Sequence, residues 1–230
     1  MCGRIAQFGP FREIVDLLTG WPSPYPEAEE APPRYNLPPT AQARLLNVEG
    51  DDLVAQRVRW GWRPHWATDK PAPTNARAEK VAHGPFFRTI WPHRALCPID
   101  GWFEWVNEGG PKKQPYFIRR QDGAPSFCAS IGQYPGGGHE PSEHDGFVII
   151  TADSQGGMVD IHDRRPVVFA PDLAQEWLDP ATPKERAEEM ILQQGELSEV
   201  FEWFPVSKDV GNVRNDRPNL IEPINWRITP

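Results

Sequence analysis

Residues 96–105 read Leu-Cys-Pro-Ile-Asp-Gly-Trp-Phe-Glu-Trp, and this stretch indicates the kind of fold that the chain adopts. Its apolar residues predict a buried strand, and the glycine at position 101 predicts a kink in that strand. One carboxylate, Glu104, has aromatic neighbours on both sides. An apolar environment raises the pKa of a carboxylic acid, so that it can exchange protons near neutral pH. A glutamate on the exposed face of a strand is an equally good interpretation.

Shorter runs of the same character lie on both sides of this stretch. Further strands are predicted at 53–60, 114–119, 126–131, 146–151, 167–169 and 200–205. Regular helices are fewer. Apolar residues at helical spacing predict one over 11–19, a capping box at 182–185 begins another that ends at Gly195, and a short one is expected near 86–90.

Proline limits what the rest of the chain can form. The chain has 27 prolines, and their density over 21–39 predicts an ordered but irregular segment. An extended tail is expected from residue 211. With no internal repeat and no visible boundary, we expect one domain over 1–230. Its predicted class is α+β, a mainly antiparallel β core with peripheral helices.

Composition excludes several classes of protein. The sequence has no apolar run long enough to span a membrane and no signal-peptide pattern, so we expect an intracellular, cytoplasmic protein. Its three cysteines cannot all pair and lack a CxxC spacing, which is typical of a reducing compartment. The six histidines are scattered, so we expect no metal site and no cofactor.

The net charge of −8 hides a strong local asymmetry. Residues 53–99 hold eight basic and two acidic side chains, whereas residues 171–202 hold nine acidic and two basic ones. A local basic field can bind phosphates even on an acidic protein. The acidic segment is more typical of a solvated helix face.

The chain begins Met1-Cys2-Gly3-Arg4, and this start offers unusual chemistry. If Met1 is removed, Cys2 carries both a free α-amine and a thiol. The amine can condense with an aldehyde to an imine, and the thiol can then close onto the imine carbon as a thiazolidine. An α-amine has a pKa of about 8, so a useful fraction is nucleophilic at neutral pH. A cysteine that is merely buried and inert is the simpler alternative.

Two further polar residues stand out by their context. His162 lies in Asp160-Ile-His-Asp-Arg-Arg-Pro166, directly before a predicted strand, where a histidine is more often structural than catalytic. Asn75 opens the segment Asn75-Ala-Arg-Ala-Glu79, where a turn-forming asparagine is the default interpretation. Neither residue identifies a function by itself.

Together the motifs resemble one family, the SOS response-associated peptidase (SRAP) family. The blocks that carry the resemblance are 1–4, 34–40, 59–62 with Pro64 and Trp66, 75–79, 100–105 and 161–166, with 205–207 and 213–216 near the end. They occur in the order that the family shows. The departures, such as Trp62-Arg63-Pro64-His65 and Ser130-Ile-Gly-Gln-Tyr134, affect the expected DNA groove rather than the proposed catalytic residues.

The resemblance implies a protein that binds single-stranded DNA and traps abasic sites as a thiazolidine crosslink. It implies that the mature chain begins at Cys2, the nucleophile. Asn75 would position the amine or the sugar, Glu104 would be the acid or base for imine formation, and His162 would assist sugar ring opening and crosslink reversal. Phosphates would be held by Arg77 and Arg164, less surely by Arg4, and Trp62 and Trp66 would stack on bases, although at least one of the two is expected in the core.

Two other functions remain open from the sequence. A cysteine peptidase could use Cys2 with His162 and Asn75, although such an enzyme has no need for its cysteine at position two. A non-catalytic reader of modified DNA needs only the basic stretch and the aromatic residues. We expect a monomer that is associated with the nucleoid when it acts on DNA.

Overall fold

The structure is a computed structural model that describes residues 2–18, 32–69, 71–136 and 139–224. Its strands are β1 (Ile5–Gln7), β2 (Arg34–Leu37), β3 (Gln42–Glu49), β4 (Asp52–Arg59), β5 (Asn75–Arg77), β6 (Arg94–Ile99), β7 (Gly101–Val106), β8 (Gln114–Arg120), β9 (Ser126–Gln133), β10 (Gly146–Asp153), β11 (Arg164–Pro166), β12 (Val168–Phe169) and β13 (Phe201–Pro205). Its α-helices are α1 (Phe11–Asp16), α2 (Ala78–Val81), α3 (Pro171–Leu178) and α4 (Lys184–Gln193).

These strands form two sheets. The first has the order β13-β8-β7-β1-β2, and the second follows the order β11-β10-β9-β6-β3-β4, with β12 added to β9 and β5 added to β10. Among the strand pairs of the described residues, β5 and β10 are parallel and the others are antiparallel. This architecture confirms the α+β class with a mainly antiparallel β core and peripheral helices.

The alternation of side chains along each strand separates two hydrophobic cores. Leu45 and Cys97 of the second sheet face Trp102 of the first sheet in a core between the sheets. Their neighbours Leu46 and Leu96 point the other way, into a core that the helices cover. The helices therefore lie on one side of a two-sheet sandwich, and the space between the sheets is left to the strands.

The stretch that was predicted to be one kinked strand is two strands in different sheets. Strand β6 lies in the second sheet and β7 in the first, and the chain crosses between them at Asp100. A side chain at position 101 would come within 2.6 Å of the Ile118 carbonyl oxygen. Only glycine permits so close an approach. The glycine therefore lets β7 pack against β8 directly after the crossing, and the expected kink in one strand is replaced by a change of sheet.

The N-terminal strand is fastened to both sheets by one buried glutamine. Strand β1 pairs with β7 and β2 of the first sheet, and Gln7 reaches across to the second. Its amide nitrogen donates to the carbonyl oxygens of Arg44 (3.1 Å) and Pro98 (2.7 Å), and its amide oxygen accepts from the Arg44 backbone N–H (2.9 Å). Asp100 adds a bond from the Gly9 N–H (2.9 Å). The start of the chain is therefore held by several buried bonds.

Several local predictions were wrong. Residues 34–37 form strand β2 despite the surrounding prolines, while 21–31 lie outside the described residues. Residues 86–90 form turns rather than a helix. The final helix begins at Lys184, and Thr182 does not cap it because its hydroxyl donates to the Glu176 carbonyl oxygen instead. Part of the expected extended tail is a short 3-10 helix at Pro218–Ile221.

Some elements carried too little local signal to be predicted. Strands β1 and β3 and helix α3 belong to this group. Strand β1 has three residues, and its pairing partners are distant in the chain. Such strands are defined by neighbours that a local pattern does not contain.

Candidate active site

Cys2 lies between the two sheets and is completely buried. Burial raises the pKa of its thiol well above the ordinary value, and the nearby carboxylate of Glu104 raises it further. Cys97 and Cys128, which face each other on β6 and β9, belong to the same core and are also fully buried. The Cys2 sulfur is thus a neutral thiol in a dry environment, unlike the thiolate of a typical reactive cysteine.

Asn75 holds the backbone of Cys2. It starts β5, and the parallel pairing of β5 with β10 sets Asn75 opposite Ile149. Its amide nitrogen donates to the Cys2 carbonyl oxygen at 2.7 Å and to the Thr74 hydroxyl at 3.2 Å. Its amide oxygen is buried and has no hydrogen-bond partner among the described residues. Asn75 therefore has an acceptor to offer beside the start of the chain.

Glu104 is a buried carboxylic acid on the inner face of β7. Its exposed fraction is 3%, and it follows Trp102 and Phe103, which are fully buried. Burial is the largest influence and raises the pKa of Glu104 from 4.5 to about 7. Of the two interpretations of the sequence, the structure therefore supports the buried glutamate. A group with this pKa can both give and take a proton near neutral pH.

His162 brings a second proton carrier to the same place. It follows the 3-10 helix Gly156–Asp160, whose Met158 carbonyl oxygen accepts from the His162 backbone N–H at 3.0 Å. Its Nε2 is 3.9 Å from a carboxylate oxygen of Glu104. Burial is the main cause that lowers the pKa of His162. At neutral pH the ring is therefore mostly uncharged.

The four residues proposed as catalytic thus converge from four separate parts of the chain. Asn75 contacts Cys2 directly, Glu104 lies within electrostatic range of the Cys2 thiol, and His162 lies beside Glu104. Their roles in a reaction stay predictions. The arrangement does bring a thiol, a carboxylic acid and an imidazole close to one another.

The three arginines predicted to bind DNA are in different situations. Arg77 is exposed, two residues from Asn75 on the same strand, and so points to the same side. Arg164 is largely buried, and its guanidinium donates to Glu79 and Asp153 at 2.7 and 2.5 Å. A phosphate could reach Arg164 only by competing with these carboxylates.

Arg4 is committed to the interior of the protein. Its Nη1 donates to the Asn36 side-chain oxygen at 2.7 Å and to the Val210 carbonyl oxygen at 2.9 Å. Its guanidinium carbon also lies 5.6 Å from the centre of the Trp105 ring. Burial lowers the pKa of Arg4. These contacts favour a structural role over the phosphate contact expected for Arg4.

The two tryptophans predicted to stack on bases differ in exposure, as the arginines do. Trp62 is 2% exposed and packs against Phe86 and Phe87, so it belongs to the core and offers no free face to a base. This corrects the expectation for Trp62 and agrees with the alternative that one of the pair is core. Trp66 is 59% exposed and has one edge contact, with Phe86 at 5.8 Å. A base could stack on Trp66 without rearrangement.

Three residues near the site were missed from the sequence. Gln7 anchors β1, and the Asp163 carboxylate is 2.7 Å from His162 Nδ1. Lys113 adds a small effect to the larger one of burial, and both lower the pKa of His162. Asp163 could have been found, since it stands next to His162 in a polar motif. Gln7 and Lys113 carry no local signal, because their importance depends on contacts distant in the chain.

The described residues contain no group of three or more histidine, cysteine, aspartate or glutamate side chains that could hold a metal ion. The helices they form are also all too short or too polar to cross a bilayer.

Comparison with known proteins identifies the family. The family model for SOS response associated peptidase (SRAP) matches residues 1–213, and the chain belongs to this family. It is 42% identical to the abasic site processing protein YedK of Escherichia coli K12, over 97% of this chain and all of that protein. The abasic site processing protein YoaM of Bacillus subtilis is 30% identical over 98% and 99% of the two chains.

A solved structure shares the fold. A phage-related protein from Bordetella bronchiseptica superimposes with a TM-score of 0.75 at 38% sequence identity, covering 90% of this chain and 95% of that one. The family expected from the motifs is therefore confirmed by the family model and the sequence matches, and the solved structure shows that the fold is shared.

Proposed function

We propose that this protein processes abasic sites in single-stranded DNA by forming a covalent crosslink through its N-terminal cysteine. The names of its relatives, which are abasic site processing proteins, support the substrate. The observation that carries the mechanism is the place of Cys2. Cys2, which follows Met1, is fully buried within electrostatic range of Glu104, and its carbonyl oxygen accepts a hydrogen bond from Asn75.

The chemistry requires that Met1 be removed, because only then does Cys2 have a free amine. An abasic sugar is in equilibrium between a cyclic hemiacetal and an open aldehyde. In ring opening the bond between C1′ and the ring oxygen breaks, the ring oxygen gains a proton, and the C1′ hydroxyl loses one. The Cys2 amine then adds to C1′, and loss of one water gives an imine.

Ring closure completes the crosslink. The Cys2 thiol adds to the imine carbon, so that a bond forms between sulfur and C1′ and the thiol proton goes to the nitrogen. The product is a thiazolidine, and the balance is aldehyde plus aminothiol giving ring plus water. Because burial raises the pKa of the Cys2 thiol, the thiol has to lose its proton as the sulfur adds, and the imine nitrogen is the acceptor of that proton.

Proton transfer is assigned to Glu104 and His162. Glu104, with a pKa of about 7, can accept the proton that the amine loses and return it to the departing hydroxyl as water leaves. His162, 3.9 Å from Glu104, is assigned to ring opening and to reversal of the crosslink. Asn75 would use its buried amide oxygen to orient the amine or the sugar.

The DNA strand would cross the exposed rim of the site. Arg77 offers a guanidinium to a phosphate beside the lesion, and Trp66 offers a ring face to a base. Arg164 could add a second phosphate contact if the phosphate displaces Asp153 and Glu79, whose side chains are 80% and 43% exposed.

A peptidase acting on other proteins is less well supported. Cysteine peptidases use a thiolate that a neighbouring imidazolium stabilises. Here burial raises the pKa of the Cys2 thiol, and the imidazole lies beside Glu104. This environment disfavours the thiolate–imidazolium pair on which such a peptidase depends.

The intact mass of the purified protein, before and after incubation with an abasic oligonucleotide, tests the proposal. We expect the mass of the chain without Met1, and then that mass plus the oligonucleotide minus one water. An oligonucleotide with a tetrahydrofuran abasic analogue, which cannot form an aldehyde, is the control. Crosslinking by a protein that retains Met1, or an equal adduct with the analogue, would contradict it.

A further inference from the structure

The ring of His162 has two competing partners at a single nitrogen. The backbone N–H of Arg164 donates to Nδ1 at 3.0 Å. The Asp163 carboxylate lies 2.7 Å from the same Nδ1. The first contact requires a lone pair on Nδ1, and the second requires a proton there, so the two contacts cannot both be hydrogen bonds in one protonation state.

The two contacts therefore belong to two states of the ring. In the neutral ring with the proton on Nε2, Nδ1 accepts from the Arg164 N–H. In the charged ring both nitrogens carry protons, and Nδ1–H donates to Asp163. In each state Nε2 presents an N–H toward Glu104, whose carboxylate oxygen lies 3.9 Å away.

We propose that Asp163 is a positioning residue for His162. Asp163 holds the Nδ1 proton of the charged ring, so that the Nε2 proton is the one released to the substrate. This inference rests on the proposed function and adds a residue to it. After Nε2 gives up its proton to the ring oxygen of the abasic sugar, the remaining proton stays on Nδ1 beside Asp163. Uptake of a proton at Nε2 returns the charged ring, and no other bond changes.

Other charges around the ring limit how strongly Asp163 can stabilise the charged form of His162. Glu104 faces Nε2, and Lys113, from the turn before β8, opposes a positive charge on the ring. The α-amine exposed on Cys2 by Met1 removal would add a further charge. The Asp163 side chain is 82% exposed, so solvent weakens its attraction for the charged ring. We therefore expect an effect of up to about tenfold on the crosslinking rate, not a complete loss.

The test compares Asp163→Asn with wild type and with two controls. Asp160→Asn removes the same charge from the neighbouring 3-10 helix but contributes to neither Nδ1 contact, and Asp163→Glu restores a carboxylate. The nitrogen-15 shifts of the His162 ring are followed through a pH titration, without DNA. The crosslinking rate is then measured across the same pH range.

We expect Asp163→Asn to move the His162 titration to lower pH, because the charged ring loses its partner. Its rate should fall up to about tenfold and its pH profile should move in the same direction, with partial recovery in Asp163→Glu. Asp160→Asn should resemble wild type.

Two results would overturn the inference. The first is a His162 titration that Asp163→Asn leaves unchanged. The second is an equal shift in Asp160→Asn. Because the titration needs no DNA, these outcomes are separate from a wild-type protein that fails to crosslink, which would contradict the proposed function instead.

Discussion

The inner and outer parts of the candidate site are built differently. In the inner part, Cys2 and Glu104 are buried between two sheets, and Gln7 fastens the first strand to both of them. In the outer part, Arg77 and Trp66 are exposed and make few contacts. The inner groups have perturbed pKa values, whereas the outer ones offer a charge and a ring face.

This difference matches two physical demands. Proton transfer and ring closure need reacting groups at fixed positions in a dry environment. Binding a flexible strand without sequence preference needs accessible charges and stacking faces. If this division is real, changes in the inner part should alter the reaction and changes in the outer part should alter affinity.

The largest effect is expected at Cys2. Cys2→Ser and Cys2→Ala keep the α-amine but lack the thiol that closes the ring, so their adducts should be imines that heat destroys and borohydride preserves. Denaturing gels with a single-abasic-site oligonucleotide would measure this. Cys128→Ala is the matched control, since it removes another fully buried thiol of the same core and should crosslink like wild type. A heat-stable adduct from Cys2→Ala would remove the central claim.

The second largest effect is expected on the crosslinking rate when Glu104 is replaced. Glu104→Gln cannot exchange a proton, so formation of the native crosslink should slow by roughly 10²- to 10⁴-fold. Binding to undamaged DNA should stay near the wild-type level. Single-turnover time courses would show both, with Glu202→Gln, an exposed carboxylate paired with Arg119, as the control. A weaker affinity with an unchanged rate would place Glu104 in the outer part instead.

The same residue should make stability depend on pH. Burial raises the pKa of Glu104 from 4.5 to about 7 in the folded protein, so between these values the folded state binds more protons than the unfolded state. The free energy of unfolding therefore decreases as pH rises through this range, and above the pKa of the folded state the decrease is complete. The shift corresponds to roughly 3 kcal/mol.

Chemical denaturation of wild type and Glu104→Gln on both sides of this pH range would measure that dependence. The glutamine variant should lack this contribution and should be the more stable protein, relative to wild type, at the higher pH. An equal pH dependence in both proteins would mean that Glu104 is not destabilised by burial.

The smallest effect is expected at Arg77. Arg77→Ala should weaken binding to undamaged single-stranded DNA and reduce the slope of log K against log salt by about one, because one phosphate contact is lost. The single-turnover crosslinking rate at saturating DNA should not change. Arg12→Ala on α1 is the control, since α1 packs on the helix-covered core away from the site. Binding that does not respond to salt would contradict the outer part of the comparison.

The sequence alone determined the family, the β-rich α+β class and the candidate residues that could take part in chemistry. These properties depend on short motifs, such as Met1-Cys2-Gly3-Arg4 and the Ile161–Pro166 block, and on alternation along single strands. The family assignment is confirmed by the match over residues 1–213. Local patterns suffice for such conclusions because each is written in a few consecutive residues.

Only the tertiary structure decided which of those residues meet and which are accessible. The sequence left Glu104 equally divided between a buried and an exposed position, and it could not separate Trp62 from Trp66 or Arg77 from Arg164. Burial and pairing depend on which strands become neighbours. Position 101 illustrates the reason: the strands on either side of Asp100 lie in two different sheets, and the contact that requires glycine at 101 comes from Ile118 on another strand.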